Sequence, residues 1–326
     1  MFDVISIGSA FQDVYVFSKK FKVVRDSRTT TGTAQMFAFG TKIELDDILF
    51  EIGGGATNTS YTFARQGLRT ACISRVGDDG SGKEVSKFLK KNRITDKLII
   101  DRQRRTAHSV VFLGKKGERT LLVYRGAAHN FSSRDFNLNG IKNTKWLYIS
   151  SLAGNLSLLE KIMRYANSHN IKVALNPGKL EIRQNKKKLA KIIKTVKILF
   201  VNREEAVMIN KRAYGDDQGL LKDLTQLCPN VIAVTEGAGG SLVADGQKHY
   251  HIKIKPVKSI DTTGAGDAFG SGFLAGYIKN HGNIQKAIAL ACANSASVVQ
   301  KIGAKHGLLT KASKVQKSRV TIQKIK

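Results

Sequence analysis

The sequence predicts an α/β fold: a doubly wound, mostly parallel, Rossmann-like sheet in three layers, carrying a small β-sheet lid. Three observations predict it. Apolar strand-like runs alternate with helix-like runs through the second half of the chain. Two early β-rich stretches, about residues 14–50 and 106–124, break that rhythm. Gly-rich turns follow several of the strand-like runs, which is where such sheets hold their ligands.

The chain has 326 residues, 42% hydrophobic and 24% charged, enough to bury one large core. A single domain over residues 1–310 is expected. A basic tail over 311–326, rich in Lys, Ser and Gln, follows it and reads as disordered. Only three prolines occur, and no linker or internal repeat divides the chain. The formal net charge is +29, a field that draws polyanions. Its densest runs, residues 185–197 and 311–326, have few aromatic neighbours for stacking bases, so no specific nucleic-acid partner is expected. Cys72, Cys228 and Cys292 are widely spaced in apolar segments, which excludes a CxxC metal framework and fits a reducing, cytoplasmic setting. No apolar run reaches membrane-spanning length, and the first residues, with Asp3 and no basic segment, do not read as a signal peptide.

In order along the chain, "DVISIGSA" (residues 3–10) reads as a buried strand ending in a Gly-Ser loop. Residues 14–50 are irregular and strand-like, with a turn at 29–33. Helical spacing covers 57–68 and closes at Gly67; residues 70–77 read as a strand and 81–92 as a helix. "TAHSVVFLG" and "ERTLLVYRG", joined by Lys115-Lys116-Gly117, read as a hairpin. Then "KWLYIS", "IKVALN" and "KILFVN" each precede a helix, and "NVIAVTEG" and "SLVADG" add two strands. Asn176, Asn202 and Thr235 fall at strand ends. The early β pieces suit a lid over one side of the crevice.

Chemistry concentrates in "DTTGAGDAF" (residues 261–269). Gly264, Ala265 and Gly266 let backbone N–H groups approach a ligand, and the helix-like run that follows adds unpaired N–H groups at its positive end. That makes an anion hole suited to a phosphoryl group in transfer. Asp267 at its rim can take a proton from an attacking hydroxyl. The same residue also fits a plain helix N-cap. A second cluster, Gly53 to Gly55, leads to Asn58, and Asp13 follows the first strand; these suit polar hydroxyls. Asn202 and Glu205, three apart, suit a hydrated Mg²⁺, but their spacing alone favours a capping box. "VTEGAGGS" offers a loop for a nucleotide.

Together these segments resemble the ribokinase-like, PfkB-type carbohydrate kinases over nearly the whole chain, most specifically in "DTTGAGDAF" and "GGGATNTSYTFARQGLRTACISRVGDDGSG". The resemblance implies an ATP-dependent phosphotransferase acting on a hydroxymethyl group of a sugar. It implies Asp267 as general base and Gly264, Ala265 and Gly266 as the γ-phosphate anion hole. Asp13, Gly54 and Asn58 would hold the sugar, with Arg119 and Arg125 in a segment near it. Asn202 and Glu205 match the NxxE motif that organises Mg²⁺. Thr235 and Gly237 would line the ATP site, Asn176 would lie near it, and Cys292 replaces an Asn on the adenine side, with Asn294 as a substitute candidate. Asp261 and Thr263, with "QKIGAKHG", resemble a monovalent-cation (K⁺) region. A homodimer paired through the lid is implied for related enzymes.

Two departures set the chain apart from ribokinases proper. Gly55 stands where they carry Lys, and Ser150-Ser151-Leu152 stands where they carry an acidic sugar contact. The alternative acceptor is a nucleoside (adenosine or inosine/guanosine type), for which Phe37, Phe39 and Phe112 are stacking candidates. The distant alternative is a basic nucleic-acid-binding protein without kinase activity.

Overall fold

The computed structural model describes the chain except residues 30, 31, 114–118, 133–135, 211–214, 247, 314, 316–319 and 326. The expected hairpin turn at Lys115-Lys116-Gly117 and part of the 29–33 turn therefore lie outside the described residues. In chain order the first half forms β1 (Phe2–Ile7), β2 (Phe11–Phe17), β3 (Lys22–Arg25), β4 (Thr33–Met36), β5 (Asp47–Gly53), α1 (Gly55–Arg65), β6 (Thr70–Ile73), β7 (Arg75–Gly77), α2 (Gly80–Lys91), β8 (Thr95–Asp96), β9 (Ile99–Asp101), β10 (Ala107–Leu113) and β11 (Arg119–Tyr124). The second half forms β12 (Thr144–Ile149), α3 (Leu156–Ser168), β13 (Lys172–Leu175), α4 (Lys179–Gln184), α5 (Lys186–Ile193), β14 (Ile198–Asn202), α6 (Arg203–Asn210), α7 (Asp217–Leu227), β15 (Val231–Thr235), β16 (Ser241–Asp245), β17 (Lys248–Ile254), α8 (Ala265–Lys279), α9 (Ile284–Val298) and β18 (Val320–Ile325).

The main sheet has ten strands in the order β18-β17-β16-β15-β14-β13-β12-β1-β6-β8. It is parallel from β8 to β15. The last three strands add antiparallel pairs. Strands buried on both faces must be apolar at both parities. In β1, Ile5 and Ile7 join the core under α3–α7, while Val4 faces the other core with α1, α8 and α9. Phe273 of α8 is fully buried in that second core, its ring centroid 5.6 Å from Phe200.

The lid is a separate four-stranded sheet, β11-β10-β2-β5. Its strands reach Phe11 at one end and Gly53 at the other, beyond the limits read from the sequence. Side chains alternate faces, so the row Val123–Ser109–Asp13–Glu51 shares one face and the row Leu122–Val110–Val14–Phe50 shares the other. The β3–β4 hairpin packs Phe21 and Phe37 on Phe112, centroids 5.6 and 5.5 Å away. Phe112 pairs with Val16 and so lies on the face opposite Asp13; this cluster is lid packing, and Phe39 is fully exposed.

Three sequence readings change. Residues 70–77 are two strands, β6 in the main sheet and β7 paired with β9. β17, not read from the sequence, extends the sheet. Residues 320–325 are not disordered: they form β18, whose backbone pairs antiparallel with β17. Among the described residues no helix is long and apolar enough to cross a membrane.

Phe273→Ala is expected to cost about 3–5 kcal/mol, the usual value for emptying a buried aromatic site. Denaturant unfolding measures it, and a loss well under that range would show that α8 is not held by this packing.

Candidate active site

Helix α8 begins at Gly264, the N-cap, whose φ of 74° is left-handed. A Cβ there would meet the Ala304 Cβ at 2.4 Å, so the turn is pressed against the loop after α9 and only glycine fits. Asp267 is therefore the third helical residue and not the N-cap. Its Oδ2 accepts a hydrogen bond from Asn58 Nδ2 at 2.8 Å. The N-cap alternative is thus replaced by a contact between α8 and the start of α1.

This turn has a different neighbourhood on each side. On one side Ala265 and Gly266 line a cleft of about 360 Å³, with Asn202, Thr235, Gly237 and Cys292 around it. Four of the predicted nucleotide residues therefore line one cleft, while Asn176 and Glu205 are not in its wall, and apolar Ile254, Val257, Phe269 and Val299 complete it. On the other side, Asp267 Oδ1 lies 3.6 Å from where a Gly55 Cβ would stand. Asp13 is beside the same turn: a Cβ on Gly53 would collide with its carboxylate, and Ser109 Oγ donates to its Oδ1. Gly54, at φ 96°, caps α1. Asp13, Gly54, Asn58 and Asp267 are thus brought together.

Electrostatics follow from burial. Burial raises the Asp267 pKa, while the Asn58 donor and the Lys305 charge pull it back. Burial likewise raises Asp13, opposed by Ser109 and Lys305. Cys292 is pushed up to about 12 by burial, so it is an unreactive thiol in the cleft wall.

Other predicted residues take different places. Asn202 and Glu205 close a reciprocal capping box: Glu205 N–H donates to Asn202 Oδ1 at 2.9 Å, and Asn202 N–H to Glu205 Oε2 at 2.9 Å. Asn176 Nδ2 donates to the Phe200 carbonyl at 2.9 Å, and Asn176 is not part of the cleft wall. Asn294, fully buried, donates to the Ala268 carbonyl and accepts Leu309 N–H, so it ties α9 to α8 instead of facing the cleft. Asp261 is fully buried; its Oδ1 accepts the N–H and hydroxyl of Thr263, and its Oδ2 accepts Gly303 N–H. Arg119 reaches across from the lid and donates to Thr262 Oγ1. Arg125 is exposed, and its carbonyl accepts His129 N–H.

Two residues escaped sequence reasoning. Lys305, 6% exposed, donates to Asn58 Oδ1 at 2.5 Å, to Thr57 Oγ1 at 3.1 Å and to the Ile52 carbonyl. Its only sequence signal was a charge inside "QKIGAKHG". Glu181, buried, brings an acid to the strand end where Ser150-Ser151-Leu152 lacks one. Its oxygens are taken by Ser151 Oγ and by the N–H groups of Leu152, Gly154 and Gly178. It binds the loops together and has no open side for a sugar.

The sequence model of the pfkB family carbohydrate kinases matches residues 1–311. A fructokinase from Salmonella typhimurium is 30% identical over 70% of this chain and 77% of its own. A nucleoside kinase from Methanocaldococcus jannaschii is 26% identical over 83% of this chain and 86% of its own. The structure of an Arabidopsis thaliana ribokinase with ribose and ATP superposes with a TM-score of 0.77 at 19% identity, covering 95% of this chain and 96% of that one.

A Cβ on Gly55 would meet Ser150 Oγ at 2.6 Å and Ser150 Cβ at 2.9 Å. Gly55→Ala is therefore expected to destabilise by about 1–3 kcal/mol as an overpacking change. Ser150→Gly in the same chain should recover most of the loss. Additive losses in thermal unfolding of the double variant would show that the two residues do not compete for one space.

Proposed function

The chain belongs to the pfkB family of carbohydrate kinases, and on that premise we propose that it transfers the γ-phosphoryl group of ATP to a hydroxymethyl group of a sugar, with Asp267 as general base. One observation carries the reading: Asp267 stands between the cleft and the Gly55–Asn58 start of α1. The backbone just ahead of it faces the cleft that gathers Thr235, Gly237 and Cys292, and its carboxylate faces Gly55 and Asn58. ATP would lie in the cleft with its γ-phosphate at Gly264–Gly266. The acceptor would lie beside the start of α1, its hydroxyls on Asp13, Asn58 and the Gly53–Gly55 turn. Asp267 takes the proton as the hydroxyl attacks, and the N–H groups of the helix start bind the charge that develops on the phosphoryl oxygens. Arg119, reaching Thr262 from the lid, is placed to close over that turn and exclude water.

Mg²⁺ fits this site only through water. The capping box engages Asn202 Oδ1 and Glu205 Oε2, and Mg²⁺ ordinarily keeps several waters beside one or two carboxylates and the phosphates. Bound there, it would neutralise phosphate charge. Three donors already hold the Asp261 carboxylate, so a monovalent cation beside Asp261 and Thr263 would take backbone oxygens. A cytoplasmic setting fits three cysteines that are free and buried.

A nucleoside acceptor is the second reading, favoured by the inner lid face. Val123, 44% exposed, shares the Asp13 row, and Leu121 stands on the same face. An apolar wall there suits a base more than a second hydroxyl-rich ring. The outer lid face supports a homodimer: Phe50, Leu122 and Tyr124 are each more than half exposed around Val14 and Val110. Sedimentation as a monomer at micromolar concentration would remove that pairing.

Asp267→Asn is expected to keep the fold and ATP binding and to lower kcat by about 10²–10⁴-fold. Ribose, fructose, adenosine and inosine form the acceptor panel, with ADP release as readout. The base must be ionised and burial raises its pKa. The acidic limb of kcat/KM should therefore fall at a pH above the ordinary Asp value of about 3.9. Near wild-type turnover by the variant would end the assignment.

A further inference from the structure

We propose that Lys305 is a positioning residue for the general base, acting through Asn58: its ammonium fixes the side-chain amide so that the amide nitrogen must face Asp267. The inference rests on the reading of Asp267 given above.

Lys305 lies in the loop after α9, and acceptors from two elements converge on its ammonium. The carbonyl of Ile52 comes from lid strand β5, and Thr57 Oγ1 and Asn58 Oδ1 come from the first turns of α1. An ammonium has three N–H groups and no acceptor, so these partners exhaust it. An amide has an oxygen on one side and an NH₂ on the other. Against an ammonium only the oxygen is tolerated, which turns the NH₂ to Asp267 Oδ2 at 2.8 Å. The flipped amide would set NH₂ against ammonium and oxygen against carboxylate. The usual ambiguity of an Asn orientation is removed here by the neighbour's chemistry.

The arrangement is costly in itself, which argues for a task. Burial depresses Lys305 to about 8, against the pull of Asp13, Glu51, Asp267 and Cys72. The ammonium sits 5.2 Å from the Phe88 ring centroid. In the same loop His306 pairs with Glu51, and Gly303 N–H is held by Asp261, so the lysine backbone is anchored on both sides. Ala304 presses on Gly264, the first residue of the anion turn. One loop therefore sets both the turn and the orientation of the group that holds the base. An apolar side chain of similar length would avoid the desolvation, but Asn58 would then be free to flip.

Kinetics on the acceptor panel named above test this. Lys305→Met is expected to lower kcat by about 10- to 100-fold, the worth of one hydrogen bond to a charged group, with KM for ATP unchanged. In an Asn58→Ala background the same substitution should cost little more, because the lysine acts through the amide. Lys305→Gln, which can still donate to Asn58 Oδ1, should lie between wild type and Met. If Lys305→Met does not fold, the Gln variant decides: a Gln variant no better than Asn58→Ala counts against the proposal. Losses that add in the double variant, or a Met variant at wild-type kcat, each overturn the proposal. An inactive Asp267→Asn beside additive losses sinks this inference alone, whereas an active Asp267→Asn sinks the base assignment beneath it.

Discussion

The hydrogen bond from Asn58 to Asp267 spans 209 residues of sequence and is the contact on which the site depends. It joins the start of α1 to the start of α8, two helices that otherwise meet along their flanks in the core containing Phe63 and Phe273. Without it the carboxylate would sit in protein with its charge unsupported, and a buried acid in that state takes up a proton. Burial raises its pKa, and the amide and the nearby ammonium pull it back. The role proposed for Asp267 would need both effects, so their balance is the property the surrounding structure would have to hold.

Much of this was legible because the chemistry follows strand ends. Parallel strands with both faces buried are apolar throughout, so Gly-rich or polar residues just after them mark the crevice, and Asn202 and Thr235 were found that way, whereas Gly264–Gly266 was legible as a Gly-rich helix start. The role of Asp267 was not separable from an N-cap, because that choice turns on where the helix starts. Sequence places such a start only to within a residue or two. The left-handed Gly264 pressed on Ala304 makes Gly264 the cap and so removes that alternative for Asp267. Lys305 was not legible at all: its three acceptors come from residues about 250 positions away, and one more lysine in a chain of net charge +29 carries no signal. β18 was missed for a related reason. Its alternation of apolar and polar residues sits within a run of lysines that reads as solvated, and only the unpaired edge of β17 gives it a place.

The two departures from the ribokinase pattern are one physical event. Ser150 Oγ occupies the space into which a side chain at position 55 would grow. With Ser150 present, position 55 admits only hydrogen, and the acid expected on that strand end is supplied by Glu181, which is consumed in closing loops. The sugar side of the site thereby loses both a cation and an open carboxylate. On the proposed reading, what remains to recognise an acceptor would be Asp13, the Asn58 amide, the glycine backbone and the apolar inner face of the lid.

That remainder bears on how specificity arises here. In the proposed site, backbone groups, Asp13 and one amide would recognise a hydroxymethyl and its neighbouring hydroxyls, which a free pentose, a hexose and a nucleoside all present. Discrimination must then come from the far end of the acceptor. A wall built of Val123 and Leu121 rewards apolar area at roughly 25 cal/mol per Å² and penalises buried hydroxyls that find no partner. Because an unpartnered hydroxyl costs more than a lost apolar contact, such a wall rejects hydroxyl-rich rings more firmly than it attracts flat ones. The lid, and not the catalytic turn, is therefore the element through which a change of acceptor would act: it can be rewritten along one strand edge while the base, its amide and the lysine behind them stay as they are.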